Sequence, residues 1–531
     1  MKKLLALALT GAMLLSLAAC GGGSEASSAA AVGTGSTAAA EGEATYADTL
    51  RVVIPQDPGT LEPGKINTQT YFQVVRQIYE PLFTFMPDGT LEPWLCESYE
   101  YEDDTNLIIH LREGVKFSDG TPLTAEDVLW SLQRVVDQSL PPIAYIIDID
   151  FEKSEVIDDN TLRLVTVRPA ATLTKRLAFP GLGVASKAAY ENGTQNWLGD
   201  AVVGTGPYKL VEYVAGDRLE LTANENYWRE GEPATPNLQL RFIKDDTSRS
   251  TEAKAKGADI VITLNHREFD AVNAVDGMHV ETVPSTNSVY LMLNCKKAPL
   301  DDPKVREAFT YGINLQQTAE LVYGDFGSAP SGMIAPIVFG NNPDSFAEYW
   351  AHGYDPEKAK ELLAEAGYPD GVTVEILVET GDTARNEMAQ AFQAQLAPAG
   401  FNLQITQLDA VVLYDRVNAQ NQHDMVLSGL TCSDYEADNF LNQLLEGSNN
   451  IKMTNFDDPH FFELIETGAT IMDDAEREKA WQAALDYLME ANVMIPVWHK
   501  DLNGAVADNV EGFNLSPAFE EHYYQFAKVR Q

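Results

Sequence analysis

The residues that most often do chemistry are present in this chain, but their spacing is wrong for most of the chemistry they do. The eight histidines stand at 110, 266, 279, 352, 423, 460, 499 and 522, and none has another three or four positions on. A zinc hydrolase needs that spacing to put two imidazoles on one helix face. The four cysteines, at 20, 96, 295 and 432, contain no CxxC pair, so neither a zinc site nor a disulfide framework is indicated. No GxSxG elbow is present, and no SxxK sits in a convincing context. Gly204-Thr205-Gly206 lacks the Lys-Ser/Thr of a phosphate-binding loop and reads as a turn. Glycoside hydrolysis needs only two carboxylates, and among 79 acidic residues a pair carries no information. The residues therefore favour binding over catalysis, with no cofactor or metal. A surface-tethered hydrolase is the alternative from another class.

Charge narrows the partners. Against 79 acidic side chains stand 37 basic ones, a formal net charge of −42. Such a surface repels phosphate backbones, which excludes nucleic acid, and it offers no basic patch to anionic lipid. It mildly attracts cations. At 531 residues, 45% of them hydrophobic, the chain is globular and long enough for roughly two to four lobes. Lys2 and Lys3 precede the apolar run Leu4–Ala19, which is short for a membrane span and right for a signal peptide. Leu17-Ala18-Ala19-Cys20 resembles the bacterial lipobox, in which the cysteine is acylated and becomes the first mature residue. Residues 21–45 are almost all Gly, Ser, Ala, Thr and Glu and cannot bury a core, so they read as a flexible linker. The expectation is a signal peptide over 1–20, a lipid anchor on Cys20, and a body held at the outer face of the cell membrane.

The elements that must position any site alternate between strand and helix from residue 46 onward. Thr49–Ile54 is an apolar strand followed by the proline-rich turn Pro55–Gly64. Strands are expected at Leu107–Leu111, Leu162–Val167, Arg218–Thr222, Tyr290–Asn294, Thr373–Val378 and Leu403–Leu408. Thr124 opens a helix whose buried stripe is Val128, Leu129, Leu132, Val135 and Val136. Asp302-Pro303 and Asp355-Pro356 open two more, with proline at the first helical position. The alternation makes the fold class α/β.

Several segments together resemble the solute-binding proteins of peptide, dipeptide and nickel ABC transporters. Leu91–Gln133 is similar to that family's signature stretch, with the core LREGVKFSDG then TPLTAEDV. Gly204–Leu210 with Asn224–Trp228, then Leu291–Tyr311 and Tyr354–Gly367, follow in the family's order. The resemblance implies a bilobed periplasmic-binding-protein-like clamp with a two-strand hinge. Lobe I takes 46–75, 201–287 and 501–531, an inserted subdomain takes 76–200, and lobe II takes 288–500. It implies a monomeric carrier, not an enzyme, that captures short peptides between its lobes and delivers them to the transmembrane subunits of an ABC permease. Nickel–chelator, heme or oligosaccharide cargo is the alternative within the family.

In peptide-binding members the ligand pairs its main chain with protein backbone, as in strand addition, and a buried Asp holds its α-ammonium. Ser428–Leu441 resembles the segment that carries this Asp, with Cys432, Ser433, Asp434 and Tyr435 as its core. The resemblance thus implies Asp434 as anchor, beside Gly429, Thr431, Cys432 and Tyr435. A carboxylate in a dry cleft attracts an ammonium more strongly than at the surface. The residues alone also allow Asp434 to be a helix cap. Leu430 stands where peptide-binding relatives usually carry Trp, and Leu427 where some place an Arg for the ligand carboxylate. The opposite wall is expected from the turn holding Asp57, Gly59 and Thr60. Thr263–Phe269 is expected at the cleft edge, with His266 a surface residue.

Overall fold

The computed structural model describes residues 45–531 apart from 67, 196, 198–201, 325–328 and 447. The expected signal peptide, Cys20 and nearly all of the linker lie outside the described residues.

A ten-stranded mixed sheet runs the length of the body. In spatial order its strands are Phe401–Leu408, Val372–Glu379, Met425–Thr431, Met278–Leu293, Met494–Ala507, Ile260–Ile262, Thr49–Ile54, Asn237–Phe242, Arg218–Ala223 and Tyr208–Val214. Helices cover both of its faces at the first end of this order. Val289, Leu291 and Leu293 pack into one core with Phe309, Leu363 and Phe392. Their neighbours Tyr290 and Met292 point into a second core with Phe440 and Trp481. Alternate residues of one strand fill two different cores, the mark of a sheet buried on both faces.

The two long central strands join the two ends of the sheet. Met278–Leu293 pairs antiparallel with Met494–Ala507 from Met278↔Ala507 to Pro284↔Asp501, and again from Ser288↔His499 to Met292↔Met494. Between the two stretches the register shifts. Pro284 has no N–H to give to a ladder, so an interruption there costs no hydrogen bond. The sequence showed only Tyr290–Asn294 as a strand, because burial is continuous only from Ser285 onward and the first half is half-exposed.

A separate antiparallel sheet of Cys96–Asp103, Asn106–Leu111, Thr161–Val165 and Glu155–Asp158 is covered by the helix Ala125–Asp137. That helix begins with the expected Thr124 cap, completed as a capping box by Asp127. The helices Pro303–Gly312 and Pro356–Glu365 start on Asp302 and Asp355 as expected, each carboxylate accepting a first-turn N–H.

The conspicuous Gly204-Thr205-Gly206 and Asn224–Trp228 segments are structural. A β-carbon on Gly204 would stand 2.0 Å from the Ile78 carbonyl oxygen, so only glycine lets these backbones meet. Glu80, fully buried, accepts from Trp94 Nε1 (2.6 Å), Tyr227 OH (2.9 Å) and Trp228 Nε1 (3.1 Å). The returning C-terminal segment is fastened nearby by a buried ion pair, Arg76 Nε to Glu521 at 3.0 Å.

Candidate functional site

The strand Met425–Thr431 is paired along its length with Asn287–Leu293 on one side. On the other it pairs with Val372–Glu379 only at Met425 and Val426. From Leu427 to Thr431 that second edge has no partner strand, although the Thr431 carbonyl accepts from Gln443 Nε2 at 3.0 Å, so an added strand can pair at Gly429. Gly429 lies on this stretch. A β-carbon there would meet Arg385 Nη2 and Asn287 Oδ1, each at 3.2 Å. Asn287 donates from Nδ2 to Thr431 Oγ1 at 2.6 Å, and its Oδ1 has no partner. A cationic donor and a free acceptor therefore converge on a backbone kept bare by glycine.

Beyond Thr431 the chain leaves the sheet. The buried Cys432 donates its N–H to the Thr286 carbonyl at 3.0 Å, and burial pushes its thiol well up. Tyr435 N–H turns back to the Cys432 carbonyl at 3.0 Å, and Tyr435 adopts a left-handed φ of 57°. That conformation aims its ring at Phe85, edge on, with centroids 5.2 Å apart. An apolar cavity of about 720 Å³ opens against Tyr435 and Lys175, with Phe85 and Phe339 among its walls.

Asp434 is fully buried. Its Oδ1 accepts the Glu436 N–H at 3.2 Å, and its Oδ2 has no hydrogen-bond partner. It is not a helix cap. The next helix, Ala437–Asn442, starts on Glu436 and has no side-chain cap. Burial, then the charges of Asp438 and Glu436, push the Asp434 carboxyl well above the usual carboxylate range. The three acids are all buried, and the cations that reach them are unevenly shared. Lys175 and Arg477 both pair with Glu436, while Arg176 pairs with Asp148. Among the described residues no ion pair reaches Asp434. The charge of Lys175 acts on Asp434, but its ammonium is paired with Glu436, so Asp434 has no cation of its own.

Arg385 was not singled out by sequence. It sits in the first turn of the helix Thr383–Leu396, whose cap is Asp382. A helix N-terminus disfavours a cation, and an arginine there is the signal that could have exposed it. Asp382 offsets the mismatch, with Oδ2 3.3 Å from Arg385 Nε. Leu427, the position considered for a carboxylate partner, is apolar core, as is Leu430.

The Asp57 turn is tied to its own surroundings. Asp57 accepts from the Gly59 N–H at 2.7 Å, from Tyr213 OH and from the Gly216 N–H. Gly59 has a φ of 74°, and Thr60 Oγ1 accepts the Glu62 N–H at 3.2 Å. The described contacts bring Gly429, Thr431, Asn287 and Arg385 together and do not join Asp57–Thr60 to them. His266 is half-buried rather than a surface residue. Its ring lies 5.1 Å from that of Tyr323, and burial lowers its pKa. At the register shift of the long strands, His499 Nδ1 and Ser288 Oγ are 2.7 Å apart, and burial lowers that histidine to about 4.

Comparison with known proteins shows what the chain is similar to. The model of the bacterial extracellular solute-binding proteins, family 5, matches residues 90–452. The glutathione-binding protein GsiB of Escherichia coli K12 is 28% identical over 469 residues, 86% of this chain and 90% of that one. Among solved structures, the ABC transporter substrate-binding protein CtaP of Listeria monocytogenes matches with a TM-score of 0.82 at 19% identity, over 92% of this chain and all of that one. A dipeptide-binding protein from Pseudoalteromonas sp. SM9913, in complex with Met-Leu, matches at 0.78 and 23%, over 91% of this chain and all of that one.

Proposed function

Because the chain belongs to the bacterial extracellular solute-binding proteins of family 5, the substrate-binding components of ABC importers, we propose that its cargo is a short peptide with both ends free. The observation that carries this reading is a pair of opposite charges along one open strand edge. At one end Asp434 is buried with an unpartnered oxygen in a cluster short of cations. At the other, the Arg385 guanidinium stands over Gly429. Between them the open edge from Gly429 to Thr431 offers backbone groups to an extended main chain. A zwitterionic peptide supplies the complementary ammonium, amides and carboxylate, and charge-assisted bonds in a dry cleft are strong. The dipeptide held by the Pseudoalteromonas protein and the glutathione named for the Escherichia coli relative are ligands of this kind.

The clamp assignment belongs to the same proposal. Lobe I is 46–75, 201–287 and 501–531 with 76–200 inserted, and lobe II is 288–500. Ligand contacts made to both lobes at once drive closure. Asp57, Gly59 and Thr60 are assigned to the lobe I wall through their backbone. Cys20 carries the lipid that keeps this monomeric carrier beside its permease, and the protein does no chemistry on its cargo. Among the described residues no helix is long and apolar enough to cross a membrane.

Native mass spectrometry of protein purified without unfolding tests the reading. Added masses matching di- to pentapeptides are expected. A single added mass matching a metal–chelator, heme or sugar overturns the peptide reading and keeps the carrier. Turnover of a chromogenic substrate overturns the carrier.

A further inference from the structure

The two sides of the proposed cleft touch through charged groups as well as through any cargo. On one flank the short helix Leu173–Arg176, in the segment assigned to the insertion, faces Glu436 and Asp438 of lobe II. Thr172 Oγ1 donates to Asp438 Oδ2 at 2.8 Å, and Lys175 Nζ pairs with Glu436 Oε2. The lysine side chain is 27% exposed and the glutamate fully buried. Lys175 also lies over the Phe339 ring, 5.2 Å from its centroid. On the other flank Arg267 Nη2 pairs with Glu387 Oε1, and His266 packs on Tyr323.

Glu436 is built to lose its contact with Lys175 without being stranded, while Asp438 exchanges its Thr172 bond for water. Glu436 keeps Arg477 Nε at 3.0 Å and Trp481 Nε1 at 3.1 Å, both from its own lobe. Removing one partner of a buried ion pair is costly when it leaves the other charge bare. Here opening takes Lys175 into water and leaves Glu436 neutralised by Arg477. Arg267 and Glu387 are more exposed, at 57% and 25%, and rehydrate as they part. Contacts that are favourable when made and cheap to break are what a reversible closure needs.

We propose that Thr172 and Lys175 on one flank, with Arg267 on the other, form a two-sided clasp that holds part of the ligand-free protein closed. These are positioning residues, which act through their partners on the facing lobe. The clasp does not depend on the cargo being a peptide, so it and the peptide reading can fail separately.

Pulsed electron paramagnetic resonance reads the result from two spin labels, one on each lobe at exposed sites away from both flanks, in protein stripped of ligand. Wild type should show a long and a short interlobe distance together. The short-distance share should fall by about two- to fivefold in Arg267→Glu, the size expected of a part-exposed ion pair. It should return in Arg267→Glu combined with Glu387→Arg, which restores the pair in reverse. In Lys175→Met it should fall further, since that pair is the more buried. Unchanged thermal unfolding in each variant separates a clasp from a fold defect. A wild type with no short-distance population, or variants with the wild-type share, overturns the proposal.

Discussion

Replacing Asp434 by Asn separates an anchor from a structural residue, because the two roles predict opposite changes in stability. Asn keeps an oxygen for the Glu436 N–H and removes the charge. In the ligand-free fold that charge is a burden, since the carboxylate is buried beside Glu436 and Asp438 with one oxygen unpartnered. Its folded pKa lies well above the unfolded value. The folded state therefore holds a proton that the unfolded chain has released, and stability is lost as pH rises from the ordinary carboxylate range toward the raised value. Below that window wild type and Asp434→Asn should unfold alike. At neutral pH the variant should gain about 1–3 kcal/mol, the usual cost of an unsatisfied buried group. At about 2 cal/mol/K of unfolding entropy per residue, a body of this size shifts by about 1 °C per kcal/mol, so Tm should rise by about 1–3 °C. Peptide affinity should move the other way. Truncating one partner of a buried charge pair costs about 2–5 kcal/mol, or about 30-fold to several thousand-fold in Kd. Calorimetry with a free-amine tripeptide and its N-acetyl form gives the second readout, and only the free amine should lose affinity. A lower Tm at neutral pH, or equal losses for both ligands, would refute the argument.

The other predictions concern the far end of the edge and the anchor. Arg385→Gln should weaken a peptide with a free C-terminus by about tenfold or more and leave its C-terminal amide nearly unchanged, as competition binding would show. Gly429→Ala places a β-carbon 3.2 Å from Arg385 Nη2 and Asn287 Oδ1, so it should lower affinity for either ligand while thermal unfolding stays within about 1 kcal/mol of wild type. Cys20→Ala should release the protein from the membrane into the soluble fraction, and retention in the membrane pellet would overturn the lipid anchor.

Local chemistry was legible in the sequence wherever a short stretch determined it. Thr124 with Asp127, Asp302-Pro303 and Asp355-Pro356 cap the helices they were expected to cap. Thr49–Ile54 is a strand with the bounds read from its residues. The first half of the long strand Met278–Leu293 escaped notice, because periodicity reports burial and that half is largely unburied. In the candidate site, Gly429 and Asp434 were named only through the resemblance of one short segment, Ser428–Leu441, to the family's own. Arg385 and Asn287 were not named, because each comes from a distant element and only the fold brings them to Gly429.

The buried acids connect binding to closure. Closing the cleft around Asp434, Glu436 and Asp438 without cargo buries three carboxylates beside Lys175 and Arg477, which both serve Glu436, and Arg176, which acts on Asp438 while paired with Asp148. A buried charge left unpaired either costs several kcal/mol or takes up a proton. An arriving ammonium supplies the missing charge, and the proton on Asp434 becomes unnecessary. Peptide binding should therefore release protons, and affinity should rise with pH through the window in which Asp434 ionises. The same ammonium bound only to an open lobe II would meet a hydrated carboxylate and gain little. Most of the binding energy is then realised in the closed form, and a ligand shifts a conformational equilibrium only by its difference in affinity for the two states. The acidic corner thus adds to the share that the clasp holds closed a further closure that a cation of the right size drives. A neutral peptide analogue that still fits the strand edge should bind without closing the clamp to the same extent.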